Sequence, residues 1–509
     1  MTDPHDSQPT EALTRRSARS ADGAPTRGSA SEQPAIEASS GGAKPTTGVA
    51  ALIARHPTAW LASALGVAFL LLGTGAIFAG VSVGSGASAV VPLSSNSEVP
   101  PRPTPSALPV STHLRTCSIA ALAADPTLMA FSGQVVKVST GEVLFDRSGT
   151  VGARTGSVLK LLTASAAVAV LGANGQLSTR VIDGSTPGSI VLVGGGDPTL
   201  TAYGNSFYDG APTMADLASQ VQAKYSQLHP GVPITEIILD STMWSPSDNW
   251  DSSWLRKEQA DGYQAPVTAL MVDGDRENPA RSVSTRLDDP IAVAGQAFAD
   301  NLGVSGSVTF GSGSAVAGKD LLGEVKSQPV STLIDQMLQS SDNVLAEMLA
   351  RVVSKTMGFD GSSGSLAQAI PGALKTFNVD SSGLVIRDGS GLSDINSVPP
   401  AFVNQLLLKI AAGGQDLNVV LSGMPVAGVS GSLASRFTGA NSVAQGAVIA
   451  KTGWLDAEYS LAGIVNAADG NQFVFAFYAI GDGISEDAKE SLDTLTTGVF
   501  NCGDNLSNN

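Results

Sequence analysis

Apolar and polar residues alternate along MAFSGQVVKVSTGEVLFDRSG (residues 129–149), on both sides of a break at Ser139-Thr140-Gly141. Successive side chains of a strand point to opposite faces, so this pattern predicts a hairpin. A second alternating pair, YSLAGIVNAADGNQFVFAFYAI (residues 459–480), turns at Ala467–Asn471. Between them the spacing becomes helical. TGSVLKLLTASAAVAVL (residues 155–171) is a helix-forming stretch opened by Gly156, and DNVLAEMLARVV (residues 342–353) is another. SEDAKESLDTLTTGVF (residues 485–500) predicts a closing helix with Ser485 as its cap and acidic residues in its first turn. Strands thus come from both ends with helices between. The pattern predicts an α+β domain with one antiparallel sheet flanked by helices, and with the helix after Gly156 at its centre.

From about residue 174 to residue 325 there is more chain than a helical lobe requires. SIVLVGGG (residues 189–196), ITEIILD (234–240) and ALMVDG (269–274) read as strands, and MADLASQVQAKY (214–225) as a helix. An inserted subdomain region is expected there, after the helix that carries Ser157. Upstream of the domain the pattern changes again. Residues 1–57 are rich in Ser, Thr, Ala, Pro and Gly and read as a disordered tail. Residues 58–83 hold the uncharged run Ala59–Val83, about 25 residues, which at 1.5 Å per residue spans roughly 37 Å, enough for a bilayer core. Arg15, Arg16, Arg19, Arg27, Lys44 and Arg55 precede it, and the next cation is Arg102. That bias predicts a single-pass anchor in the cell membrane, with a cytoplasmic N-terminus and an extracytoplasmic domain. Cleavage as a signal peptide after Ala87-Ser88-Ala89 is the alternative. Residues 84–112 form a Pro/Ser-rich linker, and the folded domain is expected over 113–505.

The chain has 509 residues and a formal net charge of −16, which argues against a nucleic-acid partner. Only two cysteines occur, Cys117 and Cys502, one at each end of the domain. An even count in an oxidising compartment, with both ends feeding one sheet, predicts a disulfide between them. The four histidines are His5, His56, His113 and His229. Only His229 falls well inside the domain, in the turn-like QLHPGVP, where a surface position is expected. No His/Cys cluster has zinc spacing, so neither a metal nor another cofactor is expected.

Nucleophilic chemistry without histidine has another source. Ser157 and Lys160 are three apart, so their side chains share a helix face and an amine reaches a hydroxyl. A serine needs a base, and a lysine is one only when its pKa is depressed by burial or by a second cation, for which Lys451 is the candidate. Lys451-Thr452-Gly453 precedes Trp454 in what reads as an edge strand, a turn and a further strand. Such a strand pairs with an extended peptide, and the N–H groups of Ser157 and Trp454 could together hold an oxyanion. Ser341 and Asn343 flank Asp342 at a helix start, suited to relaying a proton and holding an amide.

Ser-x-x-Lys, Ser-Asp-Asn and Lys-Thr-Gly in that order are the acyl-serine set for D-alanyl peptides and β-lactams. The chain resembles DacB-type D-alanyl-D-alanine carboxypeptidases, the low-molecular-mass class C penicillin-binding proteins, over roughly residues 117 to 500. The resemblance also rests on GGGDPTL (194–200), the YQAPVTALMVDGD run, DGSGLSDIN (388–396) and MPVAGVSGSLASRF (424–437). It implies a penicillin-recognising transpeptidase (β-lactamase-like) fold with inserted domains. It implies peptidoglycan peptides as substrates, cut as a carboxypeptidase or endopeptidase, and β-lactams as inhibitors. By the same resemblance Ser157 is the nucleophile and Lys160 its base; Ser341 and Asn343 relay and bind; Lys451, Thr452 and Gly453 hold the substrate. Arg154-Thr155-Gly156 precedes the serine, and Trp454 stands where the family usually has threonine. The rivals are a class A-like β-lactamase and a non-catalytic wall-binding scaffold. The first needs a deacylating glutamate between the second and third motifs, where only Glu347 occurs before Glu458.

Overall fold

The computed structural model describes residues 114–508, so the tail, the apolar span 58–83 and the linker lie outside it. Among the described residues no helix is long and apolar enough to cross a membrane. The first hairpin pairs β1 (Ala130–Lys137) with β2 (Val143–Arg147) in antiparallel register. A single 3₁₀ turn, Gly156–Leu159, then leads into α1 (Lys160–Leu171). The side chains of α1 are buried from Lys160 to Val168, so it is a core helix rather than an amphipathic one.

A separate five-stranded sheet follows. Its strands are β3 (Ser178–Asp183), β4 (Ser189–Val193), β5 (Glu236–Asp240), β6 (Thr309–Ser312) and β7 (Leu321–Lys326), in the order β6-β5-β4-β3-β7. The helices α2 (Met214–Leu228) and α3 (Pro290–Leu302) complete it, sharing one apolar core with Val181, Ile190, Leu192 and Ile237. The helix α3 carries full punctuation. Asp289 accepts the Ala292 N–H, Pro290 opens the helix, and left-handed Gly303 ends it. ALMVDG, read above as a strand, is irregular. Its amides and carbonyls bond to the Gly194–Leu200 loop instead of a strand: Gly196 N–H reaches Ala269 O (2.9 Å), and Asp273 N–H reaches Leu200 O (2.9 Å).

The chain then returns through α4 (Val330–Ser340), α5 (Asn343–Thr356), α6 (Leu366–Leu374), α7 (Pro400–Ala412) and α8 (Asn418–Gly423). It closes with β8 (Val448–Leu455), β9 (Glu458–Asn466), β10 (Gln472–Ile480) and α9 (Asp487–Cys502). The antiparallel order is β10-β9-β8, so β8 is an edge. The first hairpin joins beyond β10, where Val138 N–H donates to Gln472 O at 2.9 Å. The period-two rule divides β10 cleanly. Phe473, Phe475, Phe477 and Ala479 share a core with Leu492, Leu495 and Val499 of α9. Val474, Ala476 and Tyr478 join Leu161, Leu345 and Leu406 of the helical lobe. The sheet is therefore covered on both faces. Ser485 does not cap α9; its hydroxyl donates to Asp487 Oδ2 (3.0 Å), and no side chain caps that end. The two ends of the domain meet. Cys117 is disulfide-bonded to Cys502, Cα–Cα 5.5 Å, and Cys117–Ser118 pairs in parallel with Leu506–Ser507.

Candidate active site

Ser157 lies in the 3₁₀ turn, so Lys160, three residues on, begins α1 directly behind it. Lys160 Nζ donates to Ser157 Oγ (2.7 Å), Asn343 Oδ1 (2.6 Å) and the Ser390 carbonyl (2.8 Å). All three donor positions of an ammonium are thus filled inside the protein. Lys451, on the edge strand β8, donates to Ser341 Oγ (2.9 Å) and the Thr452 carbonyl (2.7 Å). Ser341 ends α4 in a left-handed conformation (φ 57°), and Asp342 caps α5. That sharp turn sets the two polar side chains of Ser341 and Asn343 toward the two lysines. The three sequence motifs therefore converge. Ser157, Ser341, Asn343, Thr452 and Trp454 line one cleft of about 380 Å³, with Lys160 and Lys451 sealed behind it.

Gly453 allows a close approach in the site. A Cβ there would lie 2.1 Å from Ser460 Oγ, 2.6 Å from Thr155 O and 3.0 Å from Ser157 N. A Cβ on Gly156 would lie 3.0 Å from Trp454 N. The serine turn and β8 are thus pressed together, with the amide nitrogens of Ser157 and Trp454 at one seam. Thr452 Oγ1 and Ser432 Oγ are hydrogen-bonded at 2.8 Å, and the Trp454 ring meets that of Tyr263 edge-on.

Burial governs the charges. It pushes Lys160 down to about 8, against the opposing pull of Asp388, Glu347 and Asp342. Burial also holds Lys451 well below the ordinary lysine range, and the charge of Lys160 adds to this. Of the two causes expected for the depressed Lys160, burial leads, and the repulsion between the two lysines falls on Lys451. Glu347, the sole glutamate between the second and third motifs, is turned away from the cleft. Burial, with Asp388 adding, raises it to about 8, and its Oε1 accepts the N–H groups of Gly389 (2.9 Å) and Ser390 (2.7 Å). Glu458 is likewise buried and raised to about 8, opposed by Arg154.

Several contributors escaped the sequence reading. DGSGLSDIN was singled out without a role. It is a loop whose Asp388 accepts from Gly391 N, Ser393 N, Asn396 Nδ2 and Trp254 Nε1, which presents the Ser390 carbonyl to Lys160. Ser432, within MPVAGVSGSLASRF, was not read as touching Thr452. His229 is half-buried at the C-terminal end of α2, with Nε2 3.0 Å from Asp183, and does not line the cleft. Among the described residues no group of His, Cys, Asp and Glu is arranged to hold a metal.

The sequence profile of the D-Ala-D-Ala carboxypeptidase 3 (S13) family matches residues 115–280 and 276–499. The chain belongs to this family. Among relatives of this S13 chain, Carboxypeptidase DacB of Mycolicibacterium smegmatis is 32% identical, over 88% of the chain and 99% of that protein. A carboxypeptidase of Mycobacterium tuberculosis is 33% identical, over 76% of the chain and 84% of that protein. The crystal structure of penicillin binding protein 4 (dacB) from Haemophilus influenzae matches with a TM-score of 0.61 at 19% identity, covering 75% of this chain and 97% of that one. The α+β architecture is therefore the penicillin-recognising transpeptidase fold.

Proposed function

We propose that this S13 hydrolase cleaves the terminal D-alanine, or D-amino cross-links, of peptidoglycan stem peptides through an acyl-enzyme on Ser157. The observation that carries the reading is Lys160 Nζ at 2.7 Å from Ser157 Oγ, in a buried setting that brings the amine to about 8. Neutral Lys160 takes the Ser157 proton as Oγ attacks the carbonyl of the penultimate D-alanine. The N–H groups of Ser157 and Trp454 hold the oxyanion. The proton then passes to the leaving amine, with the Ser341–Lys451 pair beside it as relay. Asn343 holds the substrate amide, Thr452 its terminal carboxylate with Lys451 behind it, and β8 supplies an edge strand for its backbone. Water completes the cycle. A β-lactam enters the same way but leaves slowly, because the glutamates flanking the site, Glu347 and Glu458, are buried away from the cleft. The test is a labelled penicillin. Wild type should carry the label on Ser157, and Ser157→Ala should be folded and unlabelled; a labelled Ser157→Ala protein would remove the assignment. Mass spectrometry of defined muropeptides then identifies the bond cut.

The domain works outside the membrane, held by residues 58–83 with the N-terminus in the cytoplasm. The uncharged span, the six preceding cations and the Cys117–Cys502 disulfide support this placement. Protease added to intact cells should remove the domain and spare the tail. A soluble product beginning near Val90 would instead mean cleavage of a signal peptide.

A further inference from the structure

Asp342 lies between Ser341 and Asn343, and its carboxylate is fully engaged away from the two lysines. Oδ1 accepts the Leu345 N–H (3.0 Å) that caps α5. Oδ2 accepts Arg276 Nη2 and Tyr208 OH, each at 2.8 Å. Both partners come from the inserted segment, and the Arg276–Asp342 pair is sealed, with side-chain exposures of 1% and 2%. Arg276 is itself held from behind. Its Nη1 donates to Asp273 O (3.0 Å), and its guanidinium lies over the rings of Phe207 and Tyr208. The turn from which it springs is strained: Asp273, Gly274 and Asp275 are all left-handed, with φ of 51°, 59° and 59°. Two of these are not glycine, and such backbone persists only where its surroundings over-determine it. The surroundings are the Gly194–Leu200 loop. Asp273 and Gly274 donate their N–H groups to the Leu200 and Pro198 carbonyls at 2.9 and 2.7 Å. The GGGDPTL and VDGD runs thus form one seat, and Arg276 is what the seat presents.

We propose that Arg276 and Tyr208 are positioning residues for the reaction, fixing through Asp342 the Ser341–Asn343 turn that receives the two lysines. The proposal rests on the reading of Ser157 as nucleophile and Lys160 as its base. The inserted segment then braces the catalytic loop. Its effect is also electrostatic. Lys160 is faced by Asp342 and Glu347 from α5, by Asp388 from the loop and by Lys451 from β8. Asp342 is faced by Arg276, Arg286 and Tyr208. Burial alone would raise the Asp342 carboxyl, and the two guanidiniums overcome it and hold it below the usual range. Without Arg276, the Asp342 carboxylate loses its paired cation and favours the protonated form of Lys160 more strongly. The base then needs a higher pH to act.

The experiment is acylation of the full-length protein by a fluorescent penicillin across pH, with folding of each variant followed by thermal unfolding. Tyr208→Phe removes one hydrogen bond to a charged group, and its acylation rate constant should fall about tenfold with the half-saturating concentration unchanged. Arg276→Met should fall further, and the rising limb of its pH profile should move to higher pH. Arg276→Met/Asp342→Asn should return the limb toward its wild-type position without restoring the rate. A folded Arg276→Met protein with the wild-type rate and limb overturns the proposal. So does a change confined to the half-saturating concentration, which would make Arg276, a cleft-lining side chain, a direct ligand contact. If Arg276→Met fails to fold, Tyr208→Phe decides alone, and a wild-type rate in that variant overturns the proposal. Wild-type protein that takes no label on Ser157 defeats the underlying site assignment instead, and is distinguishable from all of these.

Discussion

In the proposed reaction Lys160 is the residue on which the chemistry turns, because an ammonium cannot accept a proton. With burial placing its pKa at about 8, acylation should rise with pH through that value and level off above it. The sign follows from the base being the neutral form: below the pKa the amine is protonated and idle. Lys160→Arg should lose about 10³-fold in acylation, since a guanidinium keeps its proton at any working pH. A flat profile between neutral and alkaline pH, or an active arginine variant, would contradict this. The pair was legible in the sequence because the chemistry demands particular side chains three apart, a spacing that a helical turn brings together. Ser390 was not, because it contributes a carbonyl, and every residue has one. Asp342 reads as a helix cap and is one; its second partnership spans 66 positions to Arg276, which no local pattern records.

At the level of elements, β8 is the part whose placement matters most, since it carries Lys451 and Gly453 on the outer strand of its sheet, past the bridge that Pro425–Ala427 makes to its first residues. It is held to β9 by a close backbone approach at Gly463. A Cβ there would lie 2.1 Å from the Ile449 carbonyl oxygen and 2.5 Å from Ala450 Cα, both backbone atoms of β8. Gly463→Ala should therefore cost about 1–3 kcal/mol, the range for overpacking a tight site, and should slow acylation in the molecules that remain folded. An unchanged denaturant midpoint would show that β8 tolerates the shift. Elements with a clean period were readable: both hairpins, α1, α2 and α9 appear where their alternation or helical spacing put them. ALMVDG failed because a short apolar run flanked by glycine looks the same whether its amides meet a strand or a loop. The amides and carbonyls of the Gly194–Leu200 loop, far away in sequence, decide that.

For the whole molecule, the Cys117–Cys502 bond closes a loop with a sequence separation of 385. Chain-entropy arguments give such a closure on the order of 5 kcal/mol, acting on the unfolded chain. Cys117→Ser/Cys502→Ser protein should unfold at lower temperature yet acylate at the wild-type rate while folded, because neither cysteine lines the cleft. A slowed rate in the folded variant would mean that the bond also shapes the site. The antiparallel sheet built from both termini was readable from where the strand patterns fall. How tightly the inserted segment engages the second motif was not, since that contact joins distant stretches through side chains of ordinary type. In the location proposed for the domain, outside the membrane, the closed loop also bears on survival among secreted proteases. A single nick anywhere between Cys117 and Cys502 severs the backbone but frees no fragment, because the two pieces stay joined through sulfur. Such a nicked molecule would migrate as one band on a non-reducing gel and as two after reduction. With its sheet still paired across the cut, it could go on binding penicillin long after its chain had ceased to be continuous.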